Sequence, residues 1–296
     1  MGLALEDAGA ATDAQTPAPP DRVRGKRVVI ERRRGLDRLA LGELWEYRDL
    51  FKVLVFRDIR VRYKQTVFGA AWAVLQPLLM MAVFTVFLGR LADVPSDGVP
   101  YALFAYVGLV PWTFFSQGMG GATNSLVENE RLVTKIYFPR LLMPAASSTS
   151  YMLDFLIGHV LIVGLMVGFG RGVGATAVLL PVLALAVLVV ILAVGLGLSA
   201  LNVRYRDIRY AIPFATQILL FLTPVAYPAS LVEGSWRFVY ALNPMAGVID
   251  LYRWALLGTP HLPAPVLLTS AASALALLAV SVWYFQRVER SFADVI

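Results

Sequence analysis

Three cations, Arg60, Arg62 and Lys64, fall within five residues directly before a long uncharged stretch. Neighbouring cations at the edge of an apolar region favour a dianion such as a diphosphate, because charge-assisted bonds strengthen where water is scarce. They are equally what the preference of Lys and Arg for one side of a bilayer places beside a membrane span. Asp154 is the sole charged residue between Arg140 and Arg171. A lone carboxyl in such surroundings either exchanges a proton or is hydrogen-bonded to a neighbouring helix. His159 lies five residues on and about 140° around an ideal helix, so the two do not pair on their own helix. A further group runs Glu128, Asn129, Glu130, Arg131, Lys135 and Arg140, with Ile136, Tyr137 and Phe138 just before Pro139. Mixed charge around an apolar knob suits docking to a soluble partner. A short solvated connector has no need of three consecutive large apolar side chains.

Other chemistries are missing. The chain has no cysteine, which excludes disulfides, thiolate metal sites and a cysteine nucleophile. Its two histidines, His159 and His261, are too few for a histidine-rich metal centre, and neither has a serine partner in a recognisable triad frame. Nothing matches G-x-x-x-x-G-K-[ST]; the one Gly-Lys pair, Gly25-Lys26, lacks the upstream glycine and the hydroxyl residue after it. The expectation is a chain that is not itself an enzyme and holds no metal or cofactor.

The elements that must position these groups are set by the distribution of charge. Only 16% of residues are charged. No Asp, Glu, Lys or Arg occurs between Lys64 and Arg90, Asp97 and Glu128, Arg140 and Asp154, or Arg171 and Arg204. An apolar run of about 20 residues crosses the hydrocarbon core as a helix, because lipid offers no partner to an unpaired backbone amide. With 58% hydrophobic residues and a mean hydropathy of +0.67, the chain reads as an all-α integral membrane protein. Six spans are expected, at about 67–89, 101–122, 141–169, 175–201, 211–230 and 265–285. With the N-terminus inside, 22 of the 26 Lys and Arg residues fall on inner segments, and only Arg90, Arg171, Arg237 and Arg253 lie outside. Both termini are therefore expected in the cytoplasm. The net charge of +6 sits beside spans, where anionic lipid accounts for it, and this argues against nucleic acid as a partner.

Residues 1–35 read as a disordered cytoplasmic tail rather than a signal peptide, since Glu6, Asp7 and Asp13 precede Pro17, Pro19 and Pro20 without an apolar core. The region 36–66 contains an amphipathic interface helix at 41–62, with Leu44, Phe51, Val55 and Ile59 on one side and Glu46, Asp49, Arg57 and Arg60 opposite, although Arg48 and Asp58 interrupt the apolar side. It either anchors to headgroups or contacts a partner. The six-span membrane body is expected over 67–286, and 287–296 as a cytoplasmic tail. Pro213, Pro224 and Pro228 bend the fifth span, and 238–257, interrupted by Asn243-Pro244, Gly247, Asp250 and Arg253, reads as short outer helices. A seventh span is the alternative for that stretch, but it would put Arg287 and Arg290 outside.

Four stretches, RDIRVRYKQTVFGAAWAVLQP at 57–77, KIYFPRLLMP at 135–144, NVRYRDIRYAIPFATQILLFLTPVAYP at 202–228 and LNPMAGVIDLYR at 242–253, occur in order. Together they resemble the polysaccharide-exporting branch of the type-2 ABC transporter permeases, which move O-antigen, capsule, teichoic acid or galactan chains. The resemblance covers roughly residues 41–296. It implies six spans per chain in a bacterial plasma membrane and a homodimer that binds two copies of a separate ATPase. ATP and magnesium would be held by that partner. The interface helix would sit against the ATPase, the Glu128–Phe138 segment would be the coupling helix, and 231–262 would form gate helices at the outer face.

Within that frame, Arg60, Arg62 and Lys64 would meet the diphosphate of a lipid-linked glycan. Tyr101, Phe104, Gly108, Trp112 and Phe115 recur at steps of 3, 4, 4 and 3 and so share one helix face, bent at Pro111. Such a face is either a conduit on which sugar rings slide through apolar contacts or an ordinary packing stripe. An ABC permease for drugs or small lipids is the alternative of the same mechanics. A secondary transporter is the alternative of another class, though neither inverted repeats nor paired intramembrane charges are present in the sequence.

Overall fold

The computed structural model describes residues 41–64 and 71–292, and all regular elements among them are helical. The expected tail at 1–35 and the last residues, 293–296, lie outside the described residues. The elements are α1 (Leu41–Glu46), α2 (Arg48–Tyr63), α3 (Ala71–Leu91), α4 (Tyr101–Glu128), α5 (Glu130–Lys135), α6 (Leu142–Ser150), α7 (Met152–Gly168), α8 (Leu180–Arg204), α9 (Ile208–Leu222), α10 (Trp236–Ala241), α11 (Pro244–Leu257) and α12 (Ala264–Val288). The last turns of α3, Thr85–Leu91, widen to π geometry.

Four segments among the described residues are long and apolar enough to cross a membrane: Ala71–Leu91, Leu142–Gly168, Ala175–Arg204 and Ala264–Val288. The chain is a multi-pass membrane protein. Helix α4 has 28 residues, which at 1.5 Å per residue is about 42 Å. It is less apolar because it carries Ser116, Gln117, Thr123, Asn124 and Ser125. Other helices surround it and bury most of its length, so it is solvated by protein rather than lipid. Helix α9, at 15 residues or about 22 Å, falls short of a full crossing by itself.

Helix α4 is the axis against which α8, α6, α7, α3 and α11 pack. Its crossing with α8 is close: a Cβ at Gly195 would lie 2.7 Å from that of Ala122. Small residues allow such approach where lipid gives no hydrophobic drive for association. Asn202 on α8 adds a polar tie, donating from Nδ2 to the Thr123 carbonyl at 3.0 Å and to Asn124 Oδ1 at 3.2 Å. One apolar cluster centres on α4, α7, α8 and α11, and a second gathers Leu54, Leu126, Val133, Phe138, Phe285 and Phe292 at one end of the bundle.

Two expectations change in detail. The single helix over 41–62 is divided at Tyr47. Leu50, Phe51 and Val55 accompany buried Leu54 into the second cluster, while Val53 and Phe56 are exposed. The inner side is chosen by packing on α6 rather than by lipid alone, and Arg57 neutralises Asp58 at 2.8 Å. The expected third span is interrupted at Tyr151, which joins α6 to α7.

Candidate functional site

At one end of the bundle α4 stops at Glu128, and Asn129 donates from Nδ2 to the Ser125 carbonyl at 2.8 Å, satisfying one of the orphan carbonyls of the last turn. The six-residue α5 follows directly. Val133 turns into the core, while Glu128, Glu130, Arg131 and Lys135 are exposed. The apolar triplet separates: Ile136 and Tyr137 are exposed, whereas Phe138 is buried with Leu142 and Phe285. Phe138 therefore anchors the segment from within, and only Ile136 and Tyr137 form the outward knob. Arg140 is engaged inside the chain. Its backbone N–H donates to Glu289 Oε1 at 3.2 Å, its guanidinium donates to the Glu289 carbonyl, and Phe292 lies 6.0 Å from it.

The last turn of α2 is fastened to the α6–α7 joint. Arg62 donates from Nη1 to Asp154 Oδ2 at 3.0 Å and from Nη2 to Ser150 Oγ at 2.7 Å, and its guanidinium lies 3.5 Å from the centre of the Tyr151 ring. Tyr63 donates its hydroxyl to the other Asp154 oxygen. Asp154 thus sits in the first turn of α7 with a cation and a phenol as partners. Of the three expected anion-binding cations, Arg62 is half-buried and occupied in this way, while Arg60 and Lys64 are exposed. His159 belongs to a different group, with Nδ1 at 2.8 Å from the Phe155 carbonyl and its ring against Phe155 and Tyr252.

The aromatic stripe of α4 lies within the chain. Phe104, Trp112 and Phe115 are buried, Trp112 and Phe115 pack 5.4 Å apart, and Tyr101 donates its hydroxyl to the Ala226 carbonyl at 2.6 Å. In this arrangement the face is a core face. Arg253 of α11 covers Phe104, its guanidinium 3.6 Å from the ring centre. The same guanidinium donates to the carbonyls of Pro224 at 2.6 Å, Val225 at 2.5 Å and Tyr227 at 3.1 Å. Those carbonyls follow the end of α9, where no further helical turn satisfies them. A planar fork with five donors can serve several carbonyls at once, and a cation suits the negative end of a helix. In α11, which is not among the spanning segments, burial lowers the Arg253 pKa to about 9, against the pull of Asp250, so it stays protonated at neutral pH. Burial pushes the Asp250 carboxyl above its ordinary range, opposed by the Leu262 N–H that it accepts at 2.7 Å.

Arg253 is the residue that the sequence reading passed over. Its signal was present, since it is one of the four cations that the expected orientation puts outside. Two of the others behave alike. Arg237 donates to the Val232 carbonyl at 2.6 Å, and Arg171 donates to those of Gly98 at 3.2 Å and Leu257 at 3.4 Å. These three arginines clamp backbone at the end of the bundle opposite α5.

A family model described as ABC-2 type transporter matches residues 49–257. The chain is 31% identical over 256 residues to an O-antigen export system permease protein RfbA from Myxococcus xanthus, covering 85% of this chain and 97% of that protein. It is 26% identical over 208 residues to a protein of the same name from Klebsiella pneumoniae, covering 69% of this chain and 79% of that relative.

Proposed function

The chain belongs to the ABC-2 type transporter family, and on that premise we propose that it is the membrane-spanning subunit of an ABC exporter for a lipid-linked polysaccharide of the O-antigen kind. The observation that carries this reading is the similarity that runs through 97% of the Myxococcus xanthus permease and 85% of this chain. The chain supplies the passage, and a separate ATPase supplies the force.

In this reading the protein is a homodimer in the bacterial plasma membrane, joined to two ATPase copies that hold ATP and magnesium. Six spans are formed by α3, α4, α6 with α7, α8, α9 with the turns after it, and α12, with both termini in the cytoplasm. The charge bias supports that orientation, because 22 of 26 cations then lie inside. Helices α10 and α11 are the gate helices at the outer face, held to α4 and to the end of α9 by Arg253. The regions 36–66, 67–286 and 287–296 act as interface region, six-span permease domain and cytoplasmic tail.

The α5 segment is the coupling element. Its support is the exposed row of Glu128, Glu130, Arg131 and Lys135 beside the apolar Ile136 and Tyr137, with Phe138, Asn129 and Arg140 securing it to the bundle. Closure of the two ATPases on ATP pushes on this segment, and the buried Val133 and Phe138 pass the displacement to α4 and α12. Arg60 and Lys64 are the cations left exposed for a lipid diphosphate, while the α4 stripe of Tyr101, Phe104, Trp112 and Phe115 would reach a conduit only if the chain rearranges. Arg131→Glu or Lys135→Glu is expected to weaken recovery of the ATPase on affinity purification while membrane insertion stays normal. Undiminished recovery with both variants would overturn this assignment of α5.

A further inference from the structure

Arg62 does more than pair one carboxylate. Each of its described side-chain contacts falls on the joint between α6 and α7: the Ser150 hydroxyl at 2.7 Å, the Ser150 carbonyl at 3.4 Å, the Tyr151 ring at 3.5 Å and Asp154 at 3.0 Å. The joint is the point at which a continuous apolar stretch changes helix, with Tyr151 as its connecting residue. On its other side α4 comes so close at Gly121 that a Cβ there would lie 2.6 Å from the Tyr151 ring. The joint is therefore held between a glycine of the central helix and an arginine of the interface helix. The Arg62 and Asp154 side chains are only 26% and 12% exposed, so water competes weakly for the contact. A guanidinium that stacks and donates in one plane transmits direction as well as charge.

We propose that Arg62 and Asp154 are positioning residues that convert movement of α2 into tilting of α7 at the Tyr151 joint, a second route of force besides α5. This rests on the ATPase-driven reading above. Displacement of α2 by a partner pulls the guanidinium, whose contacts on Ser150 and Tyr151 seat it at the joint while Asp154 carries α7 with it. Glycine at 121 lets Tyr151 turn against α4 without a side chain in the way. Without the ion pair, the Tyr63 hydroxyl on Asp154 would be the remaining described side-chain bond from α2 to α7, too weak to carry the movement.

The test uses the full chain expressed with its ATPase. ATP hydrolysis is measured on the purified complex, and surface polysaccharide is quantified on intact cells of the producing strain. Arg62→Gln and Asp154→Asn are expected to keep ATP hydrolysis within twofold of the unmodified complex and to lower surface polysaccharide at least tenfold. The exchanged pair, Arg62→Asp with Asp154→Arg, is expected to recover at least a third of export. Unchanged export in the single variants would overturn the proposal, as would a parallel fall of hydrolysis and export or an exchanged pair no better than the singles. Asp154→Asn keeps the shape of the site, and recovery of the assembled complex separates misfolding from uncoupling; loss of assembly in both single variants would mark the pair as structural and overturn the proposal too. Failure of the unmodified chain to recover any ATPase would instead overturn the exporter reading itself.

Discussion

Arg253 shows how a cation can be accommodated inside the protein. It is 3% exposed, and its partners are carbonyl oxygens rather than a carboxylate in direct contact. Removing the fork leaves several buried acceptors without donors, and each such loss costs about 1–3 kcal/mol. Gly108 is part of the same arrangement, because a Cβ there would lie 2.7 Å from Arg253 Nη2 and 2.8 Å from the Val225 carbonyl oxygen. Arg253→Lys and Gly108→Ala are each expected to lower unfolding stability in detergent by about 1–3 kcal/mol, read from denaturant midpoints. Unchanged midpoints in both would contradict the clamp. At this scale the sequence was only partly legible. The spacing of Tyr101, Phe104, Gly108, Trp112 and Phe115 correctly puts them on one face, yet spacing alone does not say what covers that face. Likewise Ile136, Tyr137 and Phe138 are indistinguishable by type, and only packing divides two exposed residues from one buried anchor.

The elements were more legible, since the absence of charge over long stretches dictates helices in a bilayer irrespective of side-chain detail. The starts of α4 at Tyr101 and α12 at Ala264 lie within a residue of expectation. The interruptions were less so: the breaks at Tyr47 and Tyr151 occur without Gly or Pro at the joint, and the one local signal is the Ser/Thr run at 147–150 before Tyr151, where the hydroxyls of Ser148, Thr149 and Ser150 bond back to preceding carbonyls. Their cause is tertiary, with α2 packed on α6 and Arg62 bound across the second joint. Topology is testable at this scale. Fusing alkaline phosphatase after Asp97 is expected to give activity, and fusing it after Glu130 none, because α4 then carries the chain inward between them. The reverse pattern, or activity at both points, would contradict the role of α4 as a span.

For the whole molecule, no stretch of the sequence matches the P-loop pattern, and the described residues carry an exposed row of charge at one end and arginine-clamped short helices at the other. In the proposed reading such a body does work only when force arrives from outside it. Two points of entry are proposed, α5 through the packing of Val133 and Phe138, and α2 through the Arg62–Asp154 contact. Both lie at the same end, which a docked ATPase would cover. The P-loop pattern is unmatched in these residues, and it is the resemblance over residues 41–296 that implied the glycan, which no spacing of residues could have supplied.

The central claim is that export depends on a partner that hydrolyses ATP. Its most direct test reconstitutes the purified chain in vesicles, with or without the ATPase, and follows transfer of lipid-linked polysaccharide extracted from the producing strain across the bilayer. Transfer is expected only with the ATPase and ATP together, and is expected to cease when the partner's hydrolysis is abolished. Equal transfer by the chain alone would contradict the account.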